Sequence, residues 1–178
     1  INQKSKKFLG ADLALSLITP FQKEDLNKIR SFFDEKIQIS ESIELLTMIK
    51  AGEKARLVQV KGVDNLYPFY GSMKLKNKGT YKPGTGIQDG GVIIQSELKE
   101  QLQLKNLDFL GIGQTRFKIT DLLIDDIGQN FMGGSFVPRV YLSLGSLKKT
   151  KLIQFGSTIR YYYLLKLEKD FSLSKINS

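Results

Sequence analysis

The chain has 178 residues, with 27 basic against 18 acidic side chains, a formal net charge of +9 and an isoelectric point near 9.6. It contains no cysteine and no histidine, which excludes disulfides, thiolate metal sites and cysteine nucleophiles and removes the commonest general base and metal ligand. A hydrophobic share of 41% and a charged share of 25% describe a globular domain with chain enough for one good core or two small ones.

No run of 18 apolar residues occurs, so no bilayer-crossing helix is expected within the chain. The first residues read Ile-Asn-Gln, with neither an initiating Met nor a leader, which points to a segment of a longer polypeptide. Residues 1–7 are polar and, like 168–178, are expected to be flexible ends. From Asp12 to Ile18, Leu13, Leu15 and Leu17 alternate in the pattern of a half-buried strand. Thr19-Pro20 closes it. Leu26, Ile29, Phe32 and Phe33 then recur at three- and four-residue spacing, on the inner face of a helix over about 22–36.

Residues 37–49 give the clearest strand: odd positions read Ile, Ile, Glu, Ile, Leu, Thr, Ile, and even ones are mostly polar. Lys50 to Glu53 turns the chain into a second strand over 55–61. There follows a segment that ends in the turn Tyr67-Pro68-Phe69-Tyr70-Gly71. Glycine supplies φ > 0 and proline fixes φ near about −65°. Three rings and Leu66 within five residues cannot all be left in water, so the turn must dock. Met73 and Leu75 alternate with lysines in the next strand, and 77–90 is a long turn-rich connection that marks a candidate subdomain boundary. Beyond it, 92–94 reads as a buried strand, and Ser96 as the cap of a short helix over 97–101. Strands are expected at 108–111, 115–124, 138–142 and 157–167, with a short basic helix over 146–152.

Candidate chemistry is sparse. Gly84 to Gly90 has glycines in a G-x-G-x-x-x-G pattern, one residue off the dinucleotide fingerprint, and a strand follows it rather than a helix, so a plain connection is expected. Asp121, Asp125 and Asp126 with Gly128 lack the spacing of a calcium loop and read as a solvated strand end. Glu41 and Glu44 fall on opposite faces of one strand, as sheet-surface charge. No serine stands in a G-x-S-x-G elbow, and none has a histidine to activate it. An enzyme, a metal site and a cofactor are not expected. Nor is nucleic acid, because Tyr161 and Tyr163 alternate with Tyr162 and at least one face of that strand is core. The connection Asp125–Val137 exceeds what a strand junction needs, and it sets Phe131 and Met132 between Gly128 and Gly133-Gly134. Phe131, Met132, Gly133 and Gly134 are therefore the candidate contact with a partner or substrate.

Several blocks carry a family likeness: Gly-Ala-Asp-Leu-Ala-Leu at 10–15, the Ser40–Glu53 block, Leu-Val-Gln-Val-Lys-Gly-Val-Asp-Asn-Leu-Tyr-Pro-Phe-Tyr-Gly at 57–71, and Gly-Val-Ile-Ile-Gln-Ser-Glu-Leu at 91–98. Phe-Val-Pro-Arg-Val-Tyr-Leu at 136–142 and Gly-Ser-Thr-Ile-Arg-Tyr at 156–161 complete the set. In order and spacing these resemble the periplasmic core domain of ABC-transporter permeases of the MacB, LolC and FtsX type, most of all the YbbP-like branch. Gln103 and Leu107 depart from that pattern, where turn glycines are expected. The resemblance implies an α+β fold in two parts. A porter-like βαβ subdomain would take 8–76 plus 157–167, and a strand-rich, sabre-like subdomain over 77–156 would be inserted in it. It implies a further helix and strand of the porter-like half that 1–178 does not contain. It also implies a place outside the bacterial inner membrane and a cytoplasmic ATPase subunit as partner. The cargo or contact would be an envelope lipid, a lipoprotein or a periplasmic partner protein, handled without catalysis in this domain. The composition alone leaves open an autonomous basic domain for a polyanion or an anionic membrane surface.

Overall fold

A computed structural model describes residues 11–34, 36–82, 84–104, 109–125, 137–154 and 158–168. The alternating run expected at 37–49 is its longest element, β2 (Ile37–Ala51), which turns at Gly52 (φ 58°) into β3 (Lys54–Val63). Before it come β1 (Leu13–Leu17) and α1 (Lys23–Phe32). After it come β4 (Met73–Leu75), β5 (Gly79–Tyr81), β6 (Gly91–Gln95), α2 (Ser96–Gln101) and β7 (Phe109–Ile112). The remainder is β8 (Thr115–Asp125), β9 (Arg139–Ser143), α3 (Leu144–Lys149) and β10 (Ile159–Leu167). The fold is α+β, with one mixed sheet in the order β1-β10-β2-β3-β9-β6-β8-β4-β5.

The long β2 has two neighbours on one edge. Its residues Ile37 to Leu45 pair with β10, and Ile49 and Lys50 pair with β7. As β7 also pairs with β8, the strands β2, β3, β9, β6, β8 and β7 close on themselves as a ring. Closure leaves these strands few bare edges. Alternation then fixes what fills the ring: Val58, Val60, Val140, Leu142, Ile94 and Phe117 point inward and are fully or almost fully buried. Leu98 of α2 and Leu147 of α3 complete this core. Each such apolar side chain contributes about 1.5–3 kcal/mol through burial. Gly62 stands in β3 because α3 lies on top of it, and a Cβ there would sit 2.6 Å from Leu147 Cδ2.

Parallel pairing of β3 with β9 over Gln59 to Val63 joins the stretch before residue 77 to the stretch after it. The ring core also draws on both, through Val58 and Val92. The two ends of the described chain lie side by side. Leu13 is opposite Leu165 in the antiparallel β1–β10 pair, Asp12 N donates to Leu165 O at 2.9 Å, and Leu167 N donates to Asp12 Oδ2 at 2.9 Å.

Several local expectations change. Leu15 is 38% exposed, since β1 is an edge strand of the sheet. Phe32, the last residue of α1, is 59% exposed, and Phe33, the C-cap residue after it, is buried in the core instead. Ser96 does not cap α2. The cap position is Gln95, whose Oε1 accepts from Arg139 N, and Ser96 Oγ donates to Glu97. Residues 79–81, expected within a connection, form β5 against β4.

The largest correction concerns Asp121, read from sequence as a solvated strand end. It is fully buried. Between Val92↔Ile119 and Ile93↔Asp121 the β6–β8 register slips by one residue, a bulge at Thr120 that turns Asp121 towards the β4–β5 hairpin. There its carboxylate accepts from Asn77 N and Lys78 N at 3.0 Å each and from Leu122 N at 2.8 Å. Asp125, four residues on, is exposed as expected.

Candidate interaction surface

The outer side of the sheet carries a second apolar cluster, and the aromatic turn lies at its centre. Tyr67 (4% exposed) and Phe69 (8%) are buried with Val63, Met73, Tyr141 and Leu164. Pro68, whose bond to Tyr67 is cis, is also buried, and Gly71 takes φ 81° as the chain leaves the turn. The ring of Tyr67 lies 6.4 Å from that of Tyr141.

Asp64 builds this turn. Its Oδ1 accepts from Ser40 Oγ (2.7 Å), Leu66 N (3.0 Å) and Tyr67 N (3.1 Å), while Oδ2 accepts from Glu41 N (2.8 Å). Tyr70 extends the turn to the chain ends, its hydroxyl donating to Asp12 Oδ2 at 2.8 Å. Burial, with the bond to Asp12 and the Asp12 charge behind it, pushes the Tyr70 phenol up from 10.0 to about 12. One turn therefore touches both the β1–β10 pair, through Asp12, and the outer wall of the ring.

Next to the turn on the same side runs a polar strip. Lys61 Nζ stands 2.8 Å from Glu44 Oε1 and 4.8 Å above the Tyr67 ring. Gln59 Nε2 donates to Glu44 Oε2 at 2.9 Å, and Arg139 Nε donates to Gln59 Oε1 at 3.2 Å. Glu44, expected as surface charge, is thus largely covered, its side chain only 16% exposed. The cause is the Lys61 ion pair across the β2–β3 register.

Further along the same strands, Leu46, Met48 and Leu57 point outward into solvent. Sequence reading passed over them, although Leu46 and Met48 are apolar at even positions of a run whose even positions are otherwise mostly polar. That break in alternation was the available signal.

The glycine-bearing connection before β6 is a docked loop. Ile87 is buried, and a Cβ on Gly86 would sit 2.6 Å from Asn65 Oδ1. Asp89 accepts from Ser143 Oγ and from Lys149 Nζ (3.2 Å) at the start and end of α3. The Ser143 hydrogen bond, then that of Lys149 and its charge, hold the Asp89 carboxyl below its usual 3.8. A cleft of about 400 Å³ beside this loop is lined by Lys78, Gln88, Asp89, Lys118 and Thr120 among others. Phe131, Met132, Gly133 and Gly134 lie outside the described residues.

No family model matches the chain. Over 163 residues, 92% of its length, it is 27% identical to an uncharacterized ABC transporter permease, YbbP, of Escherichia coli K12. It spans 19% of the length of that relative. Its fold is that of the periplasmic region of MacB from Actinobacillus actinomycetemcomitans, with a TM-score of 0.55 at 12% identity over 94% of this chain and 81% of that one. The extracellular domain of the noncanonical ABC-type transporter YknZ from Gram-positive bacteria superposes with a TM-score of 0.56 at 16% identity, covering 88% of this chain and 76% of that one. The chain therefore has the fold of these extracytoplasmic transporter domains and is similar in sequence to part of an ABC permease. A domain of a putative permease from Porphyromonas gingivalis has the same fold, with a TM-score of 0.51 at 9% identity over 78% of this chain and 64% of that one. Among the described residues of the domain no helix is long and apolar enough to cross a membrane.

Proposed function

We propose that this domain relays the nucleotide cycle of a cytoplasmic ATPase subunit, through the membrane part of its permease, to an envelope lipid, lipoprotein or periplasmic partner protein. The observation that carries the reading is the clamp at the chain ends. The strands by which the chain enters and leaves are paired, and Asp12 ties both to Tyr70 of the aromatic turn. Through Tyr67 and Tyr141 that turn bears on the ring. Paired ends suit a domain inserted in a longer chain, and a displacement applied there would reach the far end of the sheet through packed, hydrogen-bonded elements. In this reading 8–76 with 157–167 is the porter-like part and 77–156 the inserted part, joined along the β3–β9 seam.

The test is a distance. In the full permease, reconstituted with its ATPase, spin labels on Glu53→Cys and on the membrane-embedded part should move relative to each other between ATP-bound and ATP-free states. A separation that ignores nucleotide overturns the relay. The balance of +9 favours a second reading, weak adsorption to anionic lipid, with each basic residue near the surface contributing about 1 kcal/mol at most. Co-sedimentation of the domain with phosphatidylserine vesicles that does not fall with salt, or no co-sedimentation at low salt, removes it.

A further inference from the structure

Nine large apolar side chains stand exposed among the described residues, and the strand order gathers four of them at one end of the sheet. Met48 (51% exposed) is directly opposite Leu57 (46%), and Leu46 (57%) lies opposite Gln59 two residues away. All three share the outer side of adjacent strands, where opposed side chains form one strip. Phe109 (46%) points to the same side from β7, past Gly111, which faces Lys50. At Gly111 a Cβ would meet only Lys50 within 4 Å, so the sheet is bare between Phe109 and the strip. Single exposed leucines need no explanation, but a row of apolar side chains on the outer side of the sheet does.

The charges on this side are basic. Lys50 and Lys118 are exposed, and the Arg116 guanidinium lies 4.7 Å from the Phe109 ring centre. Glu44, at the near end, is engaged by Lys61, and Glu53 stands in the turn beyond. A second copy of this chain would bring like charge against like. A bilayer at the chain's own base is out of reach: Leu46 and Met48 lie 9 and 11 residues beyond Ile37 on β2, about 30–36 Å from the paired ends at about 3.3 Å per residue.

We propose that the strip of Leu46, Met48 and Leu57, with Phe109 beside it, docks an envelope protein whose contact face is apolar and edged with carboxylates. This rests on the reading given above, in which the paired chain ends lead to the membrane.

Two measurements separate failure of the surface from failure of that reading. In a cysteine-free full permease, Met48→Cys should react with a membrane-impermeant maleimide in intact spheroplasts. Reaction only after permeabilisation would overturn the periplasmic reading, and the envelope partner with it. Next, a benzoylphenylalanine photoprobe is placed at position 48 or 57 of the full permease in living cells. The expected result is an adduct with one other polypeptide, mapped to a segment where Asp or Glu flanks apolar residues. That adduct should be lost in Lys50→Glu with Arg116→Glu and kept in Lys23→Glu, a charge reversal on the remote α1. Adducts with lipid, adducts with a second copy of the permease, no adduct, or an adduct indifferent to the charge reversal would each overturn the proposal.

Discussion

Replacing Asp64 by Ala is the sharpest test of how the aromatic turn is held. The carboxylate accepts four hydrogen bonds, from Ser40 Oγ and from the amides of Glu41, Leu66 and Tyr67. Hydrogen bonds to a charged group are each worth about 1.5–3 kcal/mol net. Asp64 is partly buried and Leu66 is 40% exposed, which lets water take over part of what is lost. Counting two of the four bonds as lost outright, at the low end of that range, gives about 3 kcal/mol. For a chain of this size that is a fall in Tm of about 6–12 °C. It is also a shift of about 1.5 M in the urea midpoint, for a slope of about 2 kcal/mol/M. Asp64→Asn keeps Oδ1 and its three donors but sets an amide NH₂ against Glu41 N, so it should lose about half as much. Near-UV circular dichroism should follow, because freeing the turn releases Tyr67 and Phe69. A loss under about 1 kcal/mol for Asp64→Ala, or Asn behaving no better than Ala, would refute this account.

Three further experiments probe the rest of the frame, and a double substitution probes the connection after β8. Gly62→Ala drives a Cβ to within 2.6 Å of Leu147 Cδ2 and should cost about 1–3 kcal/mol; adding Leu147→Ala should cost less than the two single changes summed, by chemical denaturation. Asp89 has its carboxyl held below 3.8, so its contribution is present above that value and fades as pH falls through the lower folded one; the Tm gap between wild type and Asp89→Asn should narrow on acidification below pH 3.8. Tyr70 titrates near 12 instead of 10.0, so its contribution is complete below pH 10 and lost as pH rises towards 12; Tyr70→Phe should flatten that alkaline fall, followed by circular dichroism. Phe131→Ser with Met132→Ser should leave Tm within about 2 °C if these residues are contacts, whereas a loss of several kcal/mol, as for a buried Phe, would assign them to the core.

Much of the framework was legible because it rests on local alternation. Ile43, Leu45 and Ile49 announced β2, and Phe117 and Ile119 announced β8, since one buried face writes itself at every second residue. The aromatic turn was legible for a related reason: rings so close in sequence must share one hiding place. What the pattern could not carry was pairing between distant segments. Ring closure depends on β7 reaching β2, some sixty residues earlier in the chain, and nothing in Phe109 to Ile112 names its partner. Asp121 was misread because its burial follows from one extra residue in β8, and Glu44 because its cover comes from the neighbouring strand.

Those misread acids bear on the charge of the whole domain. Asp12 and Asp121 are buried, and Asp64 is spent on backbone amides and a serine hydroxyl. A short carboxylate suits that work, since it can satisfy several turn N–H groups at once. Glu44 is enclosed beside Lys61, an ion pair that cancels locally. Among the described residues these aspartates therefore act inside the fold, while no lysine or arginine is buried. The solvent-facing surface is thus more basic than the formal +9 conveys. A partner meeting the outer side of β2, β3 and β7 meets cations at its edges and leucine, methionine and phenylalanine between them, which favours a carboxylate-edged apolar face over a neutral one.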